Sequence, residues 1–100
     1  MKGLKKQNFD VIAIGAGASG LLAAGAAAES GARVLLVEKN GRAGRKLMIT
    51  GKGRCNITNS AELRDFLKEI HPNGRFLKKT FSQYFSSDLL SLLQKMGVEV

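Results

Sequence analysis

Residues 11–24 read VIAIGAGASGLLAA, and the fold turns on how the glycines at 15, 17 and 20 are read. Ahead of them, Phe9 to Ile14 (FDVIAI) is a short β-branched apolar run that stops at Gly15, as a buried parallel strand would. Behind them come helix formers: from about Leu21, LLAAGAAAES runs to Gly31, which stands where a left-handed C-cap is wanted. Glycines in the pattern G-x-G-x-x-G between a strand and a helix have separate tasks. Gly15 permits the tight turn, Gly17 lets the main chain approach a pyrophosphate with no Cβ in the way, and Gly20 lets the helix pack closely on the strand. The free N–H groups and dipole of the helix N-terminus then face the phosphates.

Further along, Arg33 to Val37 (RVLLV) is a second buried-strand candidate, closed by Glu38 and Lys39. Strand, glycine turn, helix and strand make a right-handed crossover with both strands parallel, so the fold class is α/β and Rossmann-like. Glu38 stands eighteen residues past Gly20, where a carboxylate can accept hydrogen bonds from an adenosine ribose. That carboxylate disfavours a 2′-phosphate and so argues against NADP at this turn. FAD and NAD both present ADP to it and stay open. An Ala/Gly-rich packing helix without a ligand would explain the glycines but not the strand before them or Glu38 after them.

Residues 39–60 show no sustained period and read as a long ordered loop, with one helical turn near Arg45 to Met48. Loops of this length are usually functional. Six of the sixteen Lys/Arg residues fall between Lys39 and Arg54, and no acid does. The stretch TGKGRCN at 50–56 is no Walker A loop: Gly53 follows Lys52 where Ser or Thr is needed, and Lys46 occupies the first glycine position. Gly51 and Gly53 expose main-chain N–H groups, while Arg45, Lys46, Lys52 and Arg54 can neutralise a diphosphate. A solvated basic turn is the alternative. Cys55, with no base beside it, reads as a small buried hydrophobe rather than a nucleophile.

From Asn59 the helical period returns. Asn59 can cap with Glu62 three residues on, and Leu63, Phe66, Leu67 and Ile70 share one face. Pro72, Asn73 and Gly74 turn the chain beside an exposed His71. Phe76, Phe81, Tyr84 and Phe85 interleave with Arg75, Lys78 and Lys79, but their helical spacing favours core packing over stacking on bases. Ser87 with Asp88 caps a third helix, Leu89, Leu92, Leu93 and Met96 form its apolar face, Gly97 ends it, and Val98 to Val100 begin a strand. Two parallel strands and one crossover helix cannot cover both faces of a sheet. The sheet is therefore incomplete here, and residues 1–100 read as the N-terminal portion of one dinucleotide-binding domain of a longer protein.

Composition narrows the function classes. At 100 residues and 44% apolar content the chain suits one small globular unit and is too short for a typical oxidoreductase. Its net charge of +8 is uneven, with ten cations against three acids in residues 1–60 and six against five in residues 61–100. A basic nucleic-acid-binding module using residues 39–54 is the reading from another class. Neither the glycine turn nor Glu38 helps to hold nucleic acid, so no such partner is expected. Lys2, Lys5 and Lys6 ahead of the run at 11–28 imitate a signal peptide or membrane span. That run is mostly Ala and Gly, however, and Asp10 interrupts its flank, so no membrane partner is expected. One cysteine excludes an internal disulfide and fits a reducing, cytoplasmic setting, and Cys55 with the lone His71 makes no metal site.

With VIAIGAGASGLLAA, VEKN at 37–40 and GRAGRKLMITGKGRCNITN at 41–59 in view, the chain resembles the BaiN/RdsA-type flavoproteins, formerly called YhiN-like, a family of NAD(P)/FAD-dependent oxidoreductases to which aminoacetone oxidase is similar. The stretch from Gly44 to Asn59 carries more of this resemblance than the dinucleotide fingerprint does. The resemblance implies an N-terminal piece of a chain roughly four times longer, with an FAD domain assembled from both chain ends and an inserted substrate domain. By position, it implies that Gly15, Ala16, Gly17, Ser19 and Gly20 hold the FAD pyrophosphate, Glu38 the adenosine ribose, and that Lys39, Arg45 and Lys46 flank the ADP half. Thr50, Gly51, Gly53, Arg54, Cys55 and Asn56 would run along the ribityl chain and flavin. The implied activity moves a hydride to or from flavin N5, with NAD(P)H as a possible electron donor and a small molecule as substrate. Arg54 is the candidate cation near the pyrimidine end of the ring, and no residue is assigned to acid/base work on the substrate. An NAD-binding dehydrogenase segment remains the alternative.

Overall fold

Two four-residue strands, β1 (Val11–Ile14) and β2 (Val34–Val37), pair in parallel in a computed structural model that describes residues 6–100, with Val11 opposite Val34 and Ile14 opposite Val37. Lys2 and Lys5, weighed above as part of a targeting-like flank, lie outside the described residues. Asp10 pins the start of the pairing. Its carboxylate accepts the Arg33 N–H at 2.8 Å, its own N–H donates to the Arg33 carbonyl at 2.9 Å, and the Arg33 guanidinium lies 5.9 Å from the centre of the Phe9 ring.

Between the strands runs α1 (Ala18–Glu29), which packs against both of them with Ala24 buried. The helix begins three residues earlier than Leu21. Leu21 N–H bonds the Gly17 carbonyl at 2.9 Å, so Ala18, Ser19 and Gly20 build the first turn, and packing overrides the poor helix propensity of Gly20. At the other end Gly31 N–H reaches Ala28 and Ala32 N–H reaches Ala27, a Schellman closure at the glycine expected to end the helix. The opposite face of the sheet carries Ile12 and Ile14, which are 58% and 87% exposed. Parallel sheets are covered on both faces, so the incomplete sheet expected from the sequence is what the structure contains.

The described residues cluster into two compact units, the first closing at Asn56 and the second being Ile57–Val100. In the first, β2 leads through Glu38 to α2 (Arg45–Ile49), the helical turn expected there, and to a 3₁₀ turn at Thr50–Gly53.

The second unit consists of α3 (Leu63–Lys68), a 3₁₀ turn at Gly74–Leu77, α4 (Lys78–Gln83) and α5 (Ser86–Lys95). Phe66 sits edge-on to Phe81 and to Phe85, with ring centres 5.6 and 5.2 Å away, so core packing holds for these rings. It fails for Phe76 and Tyr84, which are exposed, because Phe76 lies in the 3₁₀ turn ahead of α4 and Tyr84 is the extended C-cap behind it, both outside the helical period. Gly74 is buried, and a side chain there would run into the Leu67 carbonyl. The caps differ from the expected ones by position. Glu62 rather than Asn59 is the N-cap of α3, since the Asn59 side chain accepts the nearer Ala61 N–H at 3.0 Å. Phe85 rather than Ser87 is the N-cap of α5, with Asp88 accepting the Phe85 N–H at 2.8 Å. The Ser86 hydroxyl instead pairs with that of Thr58. Val98–Val100 form no strand; no partner strand lies beside them among the described residues, and an extended segment needs one to satisfy its main chain. No helix of the described residues is long and apolar enough to cross a membrane.

Candidate functional site

The strand-to-helix turn is shaped by main-chain contacts. Gly15 adopts φ +99° and donates its N–H to the Val37 carbonyl at 2.7 Å, so the turn is anchored on the end of the neighbouring strand. Gly20 faces back onto Gly15, and a Cβ built on it would collide with the Gly15 carbonyl. Gly17, the N-cap of α1, is the opposite case: a Cβ there would meet nothing within 4 Å. The turn is therefore closed on its strand side and open at the helix N-terminus. No side chain caps that terminus, and no acidic residue occupies its first turn. An open, uncapped helix end whose approach a side chain would fill fits a pyrophosphate. Ser19 lies exposed in the same turn.

Glu38 comes off the end of β2 and reaches under this turn. One carboxylate oxygen accepts the Ala16 N–H at 3.0 Å and the other accepts the Asn40 N–H at 2.9 Å. These two bonds, that of Asn40 first, hold its carboxyl below the usual glutamate range, with a smaller contribution from the adjacent Lys39 cation. Each oxygen keeps a second lone pair, so acceptor capacity remains for a ribose hydroxyl. Gly44 completes the arrangement. Buried, at φ +66°, it donates its N–H to the Ala16 carbonyl at 2.7 Å and serves as the N-cap of α2.

Thus Gly15, Gly17, Gly20 and Glu38, which the spacing singles out, are brought together with Ala16, which the resemblance implies. Asn40 and Gly44 were not singled out, although a glycine directly ahead of the helix-forming RKLM was a signal for a cap. Arg45 and Lys46 are exposed on α2, and Lys39, Lys52 and Arg54 are exposed as well. An open depression of about 430 Å³ is lined by Asn40, Gly41, Arg42, Arg45, Met48 and Ile49. Residues 50–56 bond among themselves and to α2. The Thr50 hydroxyl donates to the Leu47 carbonyl at 3.1 Å, and Arg54 N–H donates to Gly51 at 3.0 Å. Gly51 and Gly53 both have positive φ, as does Lys52 between them. Among the described residues no hydrogen bond joins Thr50, Gly51, Gly53, Arg54, Cys55 or Asn56 to the glycine turn.

Cys55 corrects the sequence reading. It is exposed, 3.8 Å from the Thr50 hydroxyl, because the tight 3₁₀ turn ahead of it leaves no apolar pocket to receive it. A thiol-specific chromogenic reagent will accordingly modify one thiol per folded chain in buffer as fast as in denaturant. A thiol that reacted only after unfolding would contradict that exposure.

The sequence profile described as the HI0933-like protein Rossmann domain matches residues 9–100. The chain belongs to that family. HI0933-like Rossmann domains account for the parallel strand–helix–strand unit and the glycine turn described above. Over 93 residues the chain is 37% identical to the ribosomal RNA dihydrouridine synthase of Escherichia coli (strain K12), covering 92% of this chain and 22% of that protein. It is 34% identical, with the same coverage, to the protein of that name from Haemophilus influenzae. It is 52% identical over 87 residues to a 3-dehydro-bile acid delta(4,6)-reductase of Clostridium scindens, covering 85% of this chain and 21% of that enzyme. The chain thus spans about a fifth of the length of these relatives.

Proposed function

We propose that this chain is the N-terminal FAD-binding segment of a flavin-dependent oxidoreductase, acting as part of a longer cytoplasmic protein. The observation that carries this reading is the open glycine turn at the N-terminus of α1 with the Glu38 carboxylate beneath it. Gly15, Ala16, Gly17, Ser19 and Gly20 form the pyrophosphate seat: Gly17, Ser19 and Gly20 offer main-chain N–H groups and the helix dipole, while Gly15 and Ala16, whose N–H groups are held by Val37 and Glu38, shape the turn. Glu38 accepts from the adenosine ribose, while Lys39, Arg45 and Lys46 offset the phosphate charge, and Thr50 to Asn56 line the ribityl chain and flavin, with Arg54 beside the ring. When bound, FAD supplies hydride transfer at N5. The names of the relatives support reductive chemistry: dihydrouridine is uridine with a ring double bond saturated, and the bile-acid enzyme is a reductase. NAD(P)H is the proposed electron donor and a small molecule the first choice of substrate.

A second reading of the substrate, nucleic acid, rests on the two relatives named for ribosomal RNA and on the six exposed cations from Lys39 to Arg54. The test is an absorbance and fluorescence titration of the purified longer protein with FAD, NAD⁺ and a short uridine-containing RNA. Stoichiometric FAD binding with a perturbed flavin spectrum is expected. A protein that binds NAD⁺ but leaves the FAD spectrum unchanged refutes the flavin reading. RNA affinity that falls steeply with salt selects the second substrate.

A further inference from the structure

Ala16 is 2% exposed, and both of its main-chain polar groups are taken by the segment that follows β2. Its N–H goes to one oxygen of Glu38, and its carbonyl accepts from Gly44. The other oxygen of Glu38 holds the Asn40 N–H, so one carboxylate ties the glycine turn to residues 38–44. We infer that Glu38 is a positioning residue: its carboxylate, together with the Gly44 N–H, staples the glycine turn into its binding shape before any dinucleotide arrives. The inference rests on the FAD reading only in taking the turn as the cofactor's seat.

The physical argument is local. Hydrogen bonds to a carboxylate are roughly twice as strong as neutral ones. An unpaired N–H on a buried residue is destabilising, so the turn has no equivalent arrangement once the carboxylate is gone. A turn ordered in advance also spares the ligand part of the ordering cost of binding. The pH sign follows from the ionised form making both bonds. The staple is complete above the ordinary glutamate range and is lost as pH falls through the lowered folded-state value.

The experiment is backbone amide hydrogen exchange on the longer protein freed of cofactor. In Glu38→Ala the Ala16 and Gly44 amides are expected to exchange about tenfold faster than in the wild type, with Glu38→Gln in between, while the β2 amides keep their protection. Equal exchange at Ala16 and Gly44 in wild type and Glu38→Ala overturns the staple. Should Glu38→Ala not fold, the wild-type protein decides through a pH titration. The Ala16 and Asn40 amide resonances should then move in one shared step below the usual glutamate range, with Lys39 as the charged neighbour, and the absence of a shared step overturns the inference. These readouts need no FAD. If they hold while FAD fails to bind, the FAD reading falls and the staple stands.

Discussion

Gly20→Val is expected to weaken FAD binding about a hundredfold and to destabilise the first unit by about 3 kcal/mol, the upper part of the range for forcing atoms into a packed site. The reason is geometric: the new Cβ is directed at the Gly15 carbonyl, which belongs to the main chain and cannot swing aside. Relief requires α1 to move away from β1. That motion would carry the helix N-terminus away from the phosphate position. Flavin fluorescence titration measures the affinity, and urea unfolding followed by circular dichroism measures the stability. Gly17→Ala is the informative companion, since its Cβ meets no protein atom. It should leave unfolding within about 0.5 kcal/mol of wild type while still impairing FAD binding, because the methyl group enters the space left for the pyrophosphate. A Gly20→Val chain with wild-type affinity and midpoint would show that the close approach of α1 to the turn is not required.

In the second unit, Phe66→Ala is expected to cost about 3 kcal/mol and to unfold residues 57–100 under conditions where the wild type is folded. Phe66 is the ring shared by both edge-on pairs, so its loss removes two aromatic contacts of roughly 0.5–1.5 kcal/mol each together with its buried area. No residue of that unit other than Gly74 is fully buried, which leaves little packing to compensate. Loss of amide protection across α3, α4 and α5 would confirm the effect. Phe66→Leu should retain most of the area and lose only the aromatic part, about 1–2 kcal/mol. Protection in Phe66→Ala equal to wild type would mean that the three rings do not hold the unit together.

Sequence reasoning succeeded where one local rule had one structural solution. The run at 11–14 followed by Gly15, and Glu38 eighteen residues past Gly20, required strand, turn, helix and strand. The parallel pairing of Val11–Ile14 with Val34–Val37 and the closure at Gly31 agree with it. It was less successful where neighbours compete for one group. Asn59 is a sound cap by composition, yet Ala61 N–H is nearer; Ser87 stands two residues too late, and Phe85 takes the cap because Asp88 reaches its N–H. Cys55 was assigned to a buried site by the average behaviour of cysteine, whereas the backbone of the preceding 3₁₀ turn decides its exposure.

The sequence by itself determined the order of elements, the position of the glycine turn and the identity of the acid that follows β2, because strand runs, glycine spacing and charge are written along the chain. Tertiary structure alone decided that Glu38 bonds Ala16 and that Gly44 closes on Ala16. Those contacts join residues 22 and 28 positions apart, and a hydrogen bond depends on where the fold brings two groups within about 3 Å, which no periodicity encodes.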